Sequence, residues 1–390
     1  MKTYLRAGAA LLGTALALAS TAPAQAATPT RTEVREVFAP DGTITRQAVR
    51  LPSSESPASR SAVAQAVVTP IINNGDPATH LDLVFVGDGY TSGQLGTYDT
   101  HVRSKVAELF AVEPFKSYQS LFNVWKVDVV SSQSGVDNDP YGTYRTTALD
   151  MYFYCGGTAR LLCVNETKAK QYAAQAPDVD QVVALANTTT YGGAGGGVAT
   201  AAGGNASAGQ IVVHELGHSI GGLADEYDYG GGTVYTGAEP REANASKLTR
   251  TQMVSQQRKW YRWMGQATPD GGVIDTFVGC RYYTSGIYRP SDNSIMRTLG
   301  RQFNLPGREA MIAAFYAKAN LAVAEGPGRI TVPDIATLKT SWTVDGVAVA
   351  AAPVALTGGH TVTVTVTDTT DWVRDPDLRK GLTITYSWRV

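Results

Sequence analysis

Two of the five histidines in this 390-residue chain stand four apart, with a glutamate directly after the first, in GQIVVHELGHSIGGLADEYDYG, Gly209 to Gly230. Residues four apart share one face of a helix, so a helix over Ser207–Gly222 would turn His214 and His218 towards a single cation. Glu215 then sits one step round, within reach of a water but off the ligand face. The three side-chain types suit hydrolysis. Zinc takes neutral imidazole nitrogens and keeps a position for water. It lowers that water's pKa towards ~7 and polarises a carbonyl, and a carboxylate can carry the proton to the leaving group. This is the H-E-x-x-H pattern. Histidine is scarce here, so the pairing is informative, although two hydrogen-bonded core histidines beside a surface glutamate would be the plainer explanation.

A third ligand must come from chain that bends back to the metal. Gly221 and Gly222 permit the bend, since glycine tolerates positive φ. GGLADEY then offers Asp225 and Glu226. The spacing H-E-x-x-H-x-x-x-G-x-x-D favours Asp225. Glu226 remains the alternative, and the carboxylate not used would hydrogen-bond the returning loop. Downstream, RPSDNSIMRTLG places Met296 in a polar, turn-rich segment similar to the Met-turn of metzincins. Tyr288, in GIYRPSD, is a candidate donor to an oxyanion, or else a packed loop aromatic. Arg289 is a candidate for a substrate carboxylate, or a partner for Asp292. The tract ALANTTTYGGAGGG before the helix could form a sheet edge that holds an extended peptide, line a cleft, or simply connect.

The rest of the chain must position these groups. The start, MKTYLRAGAALLGTALALASTAPAQAATPT, has Lys2 and Arg6, an apolar run and small residues at Ala24 and Ala26. That is the pattern of a signal peptide over 1–26, and it implies a secreted, extracellular protein. No later run approaches a membrane span. Residues 27–78 read as an N-terminal arm or pro-segment, with a hairpin around Asp41-Gly42 and a linker in LPSSESPASRSAVAQ. From 79 to 326, strands (LDLVFVGDGYT, LFNVWKVDVVSS, DQVVALANTTT) alternate with helices (Tyr98–Ala111, Gly307–Gly326), as in an α/β or α+β catalytic domain. Pro327-Gly328 reads as a linker. Over 327–390, HTVTVTVTD and LTITYSWRV alternate with period two, which predicts a small antiparallel β-sandwich.

Net charge is −1, and no basic cluster suits nucleic acid. Export makes a disulfide plausible. Cys155 and Cys163 could close a short loop, leaving Cys280, or Cys280 could pair with either. The absence of C-x-x-C argues against a cysteine zinc site. Carboxylates at Asp225–Asp228 and Glu239 could bind calcium, although surface carboxylates ordinarily face water.

Several of these segments together resemble the IgA-peptidase-like secreted zinc metallopeptidases. They are DLVFVGDGYT (Asp82–Thr91), EPFKSYQSLFNVWKVDVVSSQSGVDN (Glu113–Asn138), HELGHSIGGLADEY (His214–Tyr227), EPREAN (Glu239–Asn244) and YRPSDNSIMR (Tyr288–Arg297). The resemblance spans roughly residues 80–320. It implies a metzincin-like fold with an active-site helix and Met-turn, and hydrolysis of peptide bonds in a protein or peptide substrate. It also implies Zn2+ held by His214, His218 and Asp225, with Glu215 as base. It does not carry a cleavage specificity. We expect a monomer without nucleic-acid or membrane partners. A peptidase-derived binding protein and a zinc amidohydrolase acting on cell-wall peptides are the competing classes, and an intact Glu215 disfavours the former.

Overall fold

The run LDLVFVGD has an apolar residue at nearly every position, as expected of a strand covered on both faces. In the computed structural model, which describes residues 30–52, 63–326, 329–352 and 358–390, that strand is central. Two strands, β1 (Thr30–Phe38) and β2 (Ile44–Pro52), form a separate antiparallel hairpin turning at Asp41-Gly42. Then come β3 (Val67–Ile72), β4 (Leu81–Asp88), α1 (Leu95–Leu109), β5 (Phe122–Asp128), α2 (Glu166–Ala173), β6 (Gln181–Ala186), β7 (Gly193–Ala194) and β8 (Ala199–Ala202). These strands make one six-stranded sheet in the order β3-β5-β4-β6-β8-β7. Its four middle strands are parallel, and the edge strands β3 and β7 run antiparallel to their neighbours. Pro70 sits in edge strand β3, where a missing N–H is tolerated.

Side chains of β4 alternate between two cores. Leu83 and Phe85 face α1 and the later helices, while Val84 and Val86 face Leu149, Met151, Phe153 and α2. On the first face lie α3 (Gly209–Ser219) and, further on, α4 (Arg250–Gln256), the bulged ribbon of β9 (Phe277–Cys280) and β10 (Tyr283–Arg289), and α5 (Leu305–Lys318). The helix expected over Ser207–Gly222 is thus shorter. A 3₁₀ turn over Ala206–Ala208 precedes it, and it stops at Ser219. The cysteines resolve as a Cys155–Cys163 disulfide with Cys280 buried and free.

The C-terminal part departs from a sandwich. After β11 (Val323–Gly326) and β12 (Arg329–Thr331), the strands β13 (Leu338–Val344), β14 (Val347–Val349), β15 (Thr361–Asp368) and, beyond the short helix α6 (Pro376–Arg379), β16 (Thr383–Arg389) form a single four-stranded antiparallel sheet, order β14-β13-β15-β16. Val362, Val364 and Val366 do line one face, as the alternation predicts. They are covered by Leu321, Ala322, Tyr316 and Ile330 rather than by a second full sheet. Ile335, Val373 and Leu382 join the same core as α5 and β4. Expectations for 1–26, for most of the LPSSESPASRSAVAQ linker and for Pro327-Gly328 lie outside the described residues.

Candidate metal centre and active site

Helix α3 lies on β8 with Val212, Val213 and Leu216 buried in the core, so its opposite side carries His214 and His218. Each ring is oriented by a backbone carbonyl. His214 Nδ1 lies 2.9 Å from the Ile295 carbonyl, and His218 Nδ1 lies 2.7 Å from that of Leu223. A carbonyl only accepts, so both Nδ1 atoms carry a proton, and in the neutral ring the lone pair is on Nε2, which points into the site. Those two Nε2 atoms are 3.0 Å apart. Two neutral acceptors would repel at that distance unless a cation or proton lies between them.

The turn after α3 supplies the next group. Gly221 is packed so tightly against Met311 and the Gly217 carbonyl that a Cβ would overlap them, and Gly222 takes φ +58, a value that suits glycine. The chain thereby returns Asp225 to the histidines. Its Oδ1 lies 3.3 Å from His214 Nε2 and 3.2 Å from His218 Nε2, buried and with no hydrogen-bond donor. Oδ2 accepts from the Tyr282 hydroxyl. Arg281 and Tyr282, at φ 47 and 78, adopt left-handed backbone that costs a non-glycine residue about 1–3 kcal/mol. That conformation sends the Arg281 N–H to the Asp225 carbonyl at 2.9 Å and the Tyr282 N–H to the Tyr227 carbonyl at 3.0 Å.

Glu226 points away. Fully buried, it accepts from Asn244 (2.9 Å), Asn304 (2.8 Å) and Ser294 (2.8 Å), and its N–H donates to the Met296 carbonyl at 2.7 Å. It therefore ties the post-helix loop to the Met296 segment. Met296 is buried, with its sulfur packed against Gly217, so closely that a Cβ on that glycine would lie 2.7 Å from it. Met296 thus lies under the helix turn that carries His218.

A fourth side chain completes the cluster, and it was not anticipated. Glu36, from β1, places Oε2 3.2 Å from His214 Nε2 and 3.8 Å from His218 Nε2. Its Oε1 accepts from the Tyr227 hydroxyl at 2.7 Å. Among the described residues, Glu36, His214, His218 and Asp225 form the one group whose ligand atoms converge closely enough to hold a metal ion. The donor set fits zinc: two imidazole nitrogens and two carboxylate oxygens, 3.0–3.8 Å apart over the pairs just given. A tetrahedron with bonds of about 2.0–2.1 Å has edges of roughly 3.3 Å. The orphaned, buried Asp225 Oδ1 points the same way.

Glu215 stands beside the cluster. Its Oε1 is buried and unpartnered, and the carboxylate lies against Gly195, where even a methyl group would overlap it. Burial and then the neighbouring Glu36 carboxylate push its pKa up to about 7, against the pull of His214 and His218. Burial disfavours the charged form of His214, yet the carboxylates of Asp225 and Glu36 facing its Nε2 raise its pKa to about 10. Burial likewise opposes ionisation of Glu36, and hydrogen bonds from His214 and His218 hold it well below the usual carboxylate range. A cavity of about 850 Å³ opens onto the site, lined by Glu215, His218, Tyr282, Gly195–Gly197 and the hairpin residues around Glu36. The glycine tract therefore lines the cleft, and β7 is the last strand of the sheet, buried, with its outer edge bonded at Gly193 to the Arg160 carbonyl and the Leu162 N–H.

One assignment needs correction, and two open alternatives resolve to the plainer reading. Tyr288 does not reach the site. It lies in β10, packed with Met253, Trp260 and Trp263, because alternation along β10 turns it from the metal-side loops; Tyr282 and Tyr227 supply the hydroxyls instead. Arg289 is buried and bound to the Val278, Gly279 and Asp292 carbonyls and the Asp292 carboxylate, which leaves it no free face for substrate. The carboxylates considered for calcium do not converge among the described residues. Asp228 accepts from the Gly230 N–H, and Glu239 from Ser246 and Lys247. A separation of 178 residues hid Glu36 from any motif. Tyr227 lay in plain view at the end of GLADEY.

A buried His-Glu-His-carboxylate centre at the mouth of a cleft, beside a sheet edge, defines a hydrolytic class, and the comparison with known families agrees. The profile of the IgA Peptidase M64 family matches residues 69–272, more than half of the chain, and the protein belongs to that family of peptidases. The match includes α3, Asp225 and Glu226, and it excludes the β1–β2 hairpin with Glu36 and the Met296 segment. No curated protein matches the chain.

Proposed function

We propose that this peptidase is a secreted zinc endopeptidase in which His214, His218 and Asp225 hold the metal and Glu215 is the general base. The observation that carries the reading is the convergence of both Nε2 lone pairs and the unpartnered Asp225 oxygen on one point. Zinc bound there would supply Lewis acidity, making a water nucleophilic near neutral pH and polarising the scissile carbonyl. Glu215, buried beside the cluster with one oxygen unpartnered, takes the proton of the attacking water and delivers it to the leaving amine. Ile295 and Leu223 hold the imidazoles in the ligating tautomer, and Tyr282 fixes the Asp225 carboxylate. The cleft lined by Gly195–Gly197 offers a peptide a place beside Glu215. Export is supported by the leader pattern at residues 1–26 and by the Cys155–Cys163 disulfide, a bond at home in oxidising compartments.

The test is Glu215→Gln. We expect the variant to retain zinc by metal analysis and to lose casein hydrolysis by about three orders of magnitude, within the range of a lost general base. Wild-type turnover by the variant would refute the assignment.

A further inference from the structure

A zinc site that hydrolyses peptides keeps one position open for water, whereas a closed four-ligand set is the mark of a structural site. Here the fourth position is taken by Glu36, and Glu36 comes from outside the catalytic sheet. We propose that the β1–β2 hairpin is an autoinhibitory latch, with Glu36 as the side chain that closes the reactive position. The inference rests on the zinc-peptidase reading above.

The hairpin occupies the cleft in three ways. Glu36 faces both imidazoles. Its neighbour Arg35 donates to the Gly195 carbonyl, just beyond the end of edge strand β7, so a side chain of the hairpin satisfies an acceptor that an extended substrate would otherwise meet. Phe38 stacks edge-on against the His214 ring, with centroids 5.5 Å apart. Arg31, Glu33, Val34 and Arg46 form the rest of the cavity's near wall. A peptide laid along Gly195–Gly197 towards Glu215 would collide with β1, which lines the same cavity.

The hairpin is also built to come away. Its nine residue pairs join β1 only to β2. Neither strand belongs to the six-stranded sheet, and the one bridge from the hairpin, Thr43 to Thr298, lies at its tip. It is seated by apolar contacts at two places and by side-chain contacts of Arg35 with Glu166, Gln47 with Thr158, Arg46 with the Tyr282 ring and the Tyr191 hydroxyl with the Ala39 carbonyl. Near the tip, Phe38 and Ile44 pack with Ile211, Tyr227 and Leu299, while the Gly42 carbonyl accepts from the Leu299 N–H at 2.9 Å. At the far end, Val49 and Leu51 pack over the loop closed by Cys155 and Cys163. Lifting it off would expose those patches but break no sheet ladder. The carboxylate would leave a metal position to solvent while His214, His218 and Asp225 stay in place on α3 and its following turn.

The experiment uses the full chain carrying Co(II) in place of zinc, whose visible spectrum reports the ligand set, with acetohydroxamate as a probe of an open position. Two variants act differently. Glu36→Ala removes the closing carboxylate. Gly42→Val leaves Glu36 intact but puts a side chain at φ +88, where a Cβ would lie 2.8 Å from the Leu299 carbonyl oxygen, and so unseats the tip. In both variants we expect a shifted Co(II) spectrum and acetohydroxamate affinity higher by about tenfold or more, the factor for a site open less than about a tenth of the time. Casein hydrolysis by the zinc forms should rise in parallel. A wild-type protein that binds acetohydroxamate as tightly as Glu36→Ala, with an unchanged Co(II) spectrum, overturns the latch. So does loss of metal from Glu36→Ala as complete as from His214→Ala, which would make Glu36 a permanent ligand. If the probe binds more tightly but no form cleaves casein, the latch stands and the peptidase reading falls.

Discussion

Asp225 and Glu226 are adjacent, acidic and buried, yet the environment of each oxygen separates their roles. Asp225 keeps one oxygen free of donors and aimed at both imidazoles. Glu226 has donors from Asn244, Ser294 and Asn304. We therefore expect Asp225→Ala to lower zinc affinity by more than the roughly 10–100-fold that loss of an outer hydrogen-bond partner costs, as measured by competition with a mild chelator. Glu226→Ala should act mainly on stability, by about 3 kcal/mol in urea unfolding, since it strands several buried donors. The reverse order of zinc loss would move the third-ligand assignment to Glu226.

At the scale of elements, the glycine tract between β7 and β8 decides where the Glu215 carboxylate can sit. Gly195 passes so close to Glu215 that a Cβ would overlap the carboxylate. The obstructed atoms end a side chain rather than form backbone, so Gly195→Ala should be accommodated by displacing that carboxylate. The expected outcome is a fall in kcat of about tenfold or more, in line with the sensitivity of catalysis to small misplacements, with zinc content unchanged and a melting temperature close to wild type. Unchanged kcat would mean that Glu215 does not act from this position. The hairpin belongs to this scale too, because what it does to the site depends on its seating and not on any residue of the catalytic sheet.

Over the whole molecule, the C-terminal sheet is joined to the catalytic part by buried polar contacts as well as by a shared core. Asp368 accepts from the hydroxyls of Tyr118 at 2.8 Å and Tyr316 at 2.9 Å. Glu309 on α5 accepts from Trp263 and from the N–H groups of Arg374 and Asp375. Ile335, Val373 and Leu382 share the core of β4 and α1. The two parts should therefore unfold together, in one calorimetric transition. Asp368→Ala, which leaves two largely buried hydroxyls without an acceptor, should cost about 2–4 kcal/mol of stability. Two resolved transitions in the wild type would show the C-terminal sheet to be independent.

Patterns of short range were legible in the sequence: the H-E-x-x-H spacing, the glycine bend to Asp225, the apolar run of β4, the hairpin at Asp41-Gly42 and the alternation of β15. Each is set by backbone periods of 2 or 3.6 residues, or by conformations that glycine favours, and such constraints act within a few residues of chain. The tertiary structure alone decided which distant groups meet. Glu36 reaches His214 across 178 residues, Tyr282 rather than Tyr288 faces the site, and β13–β16 form one sheet covered by Tyr316 of α5 and by Leu321, Ala322 and Ile330 beyond it. Those outcomes follow from how apolar surfaces pack, and packing between elements leaves no periodic trace in the order of residues.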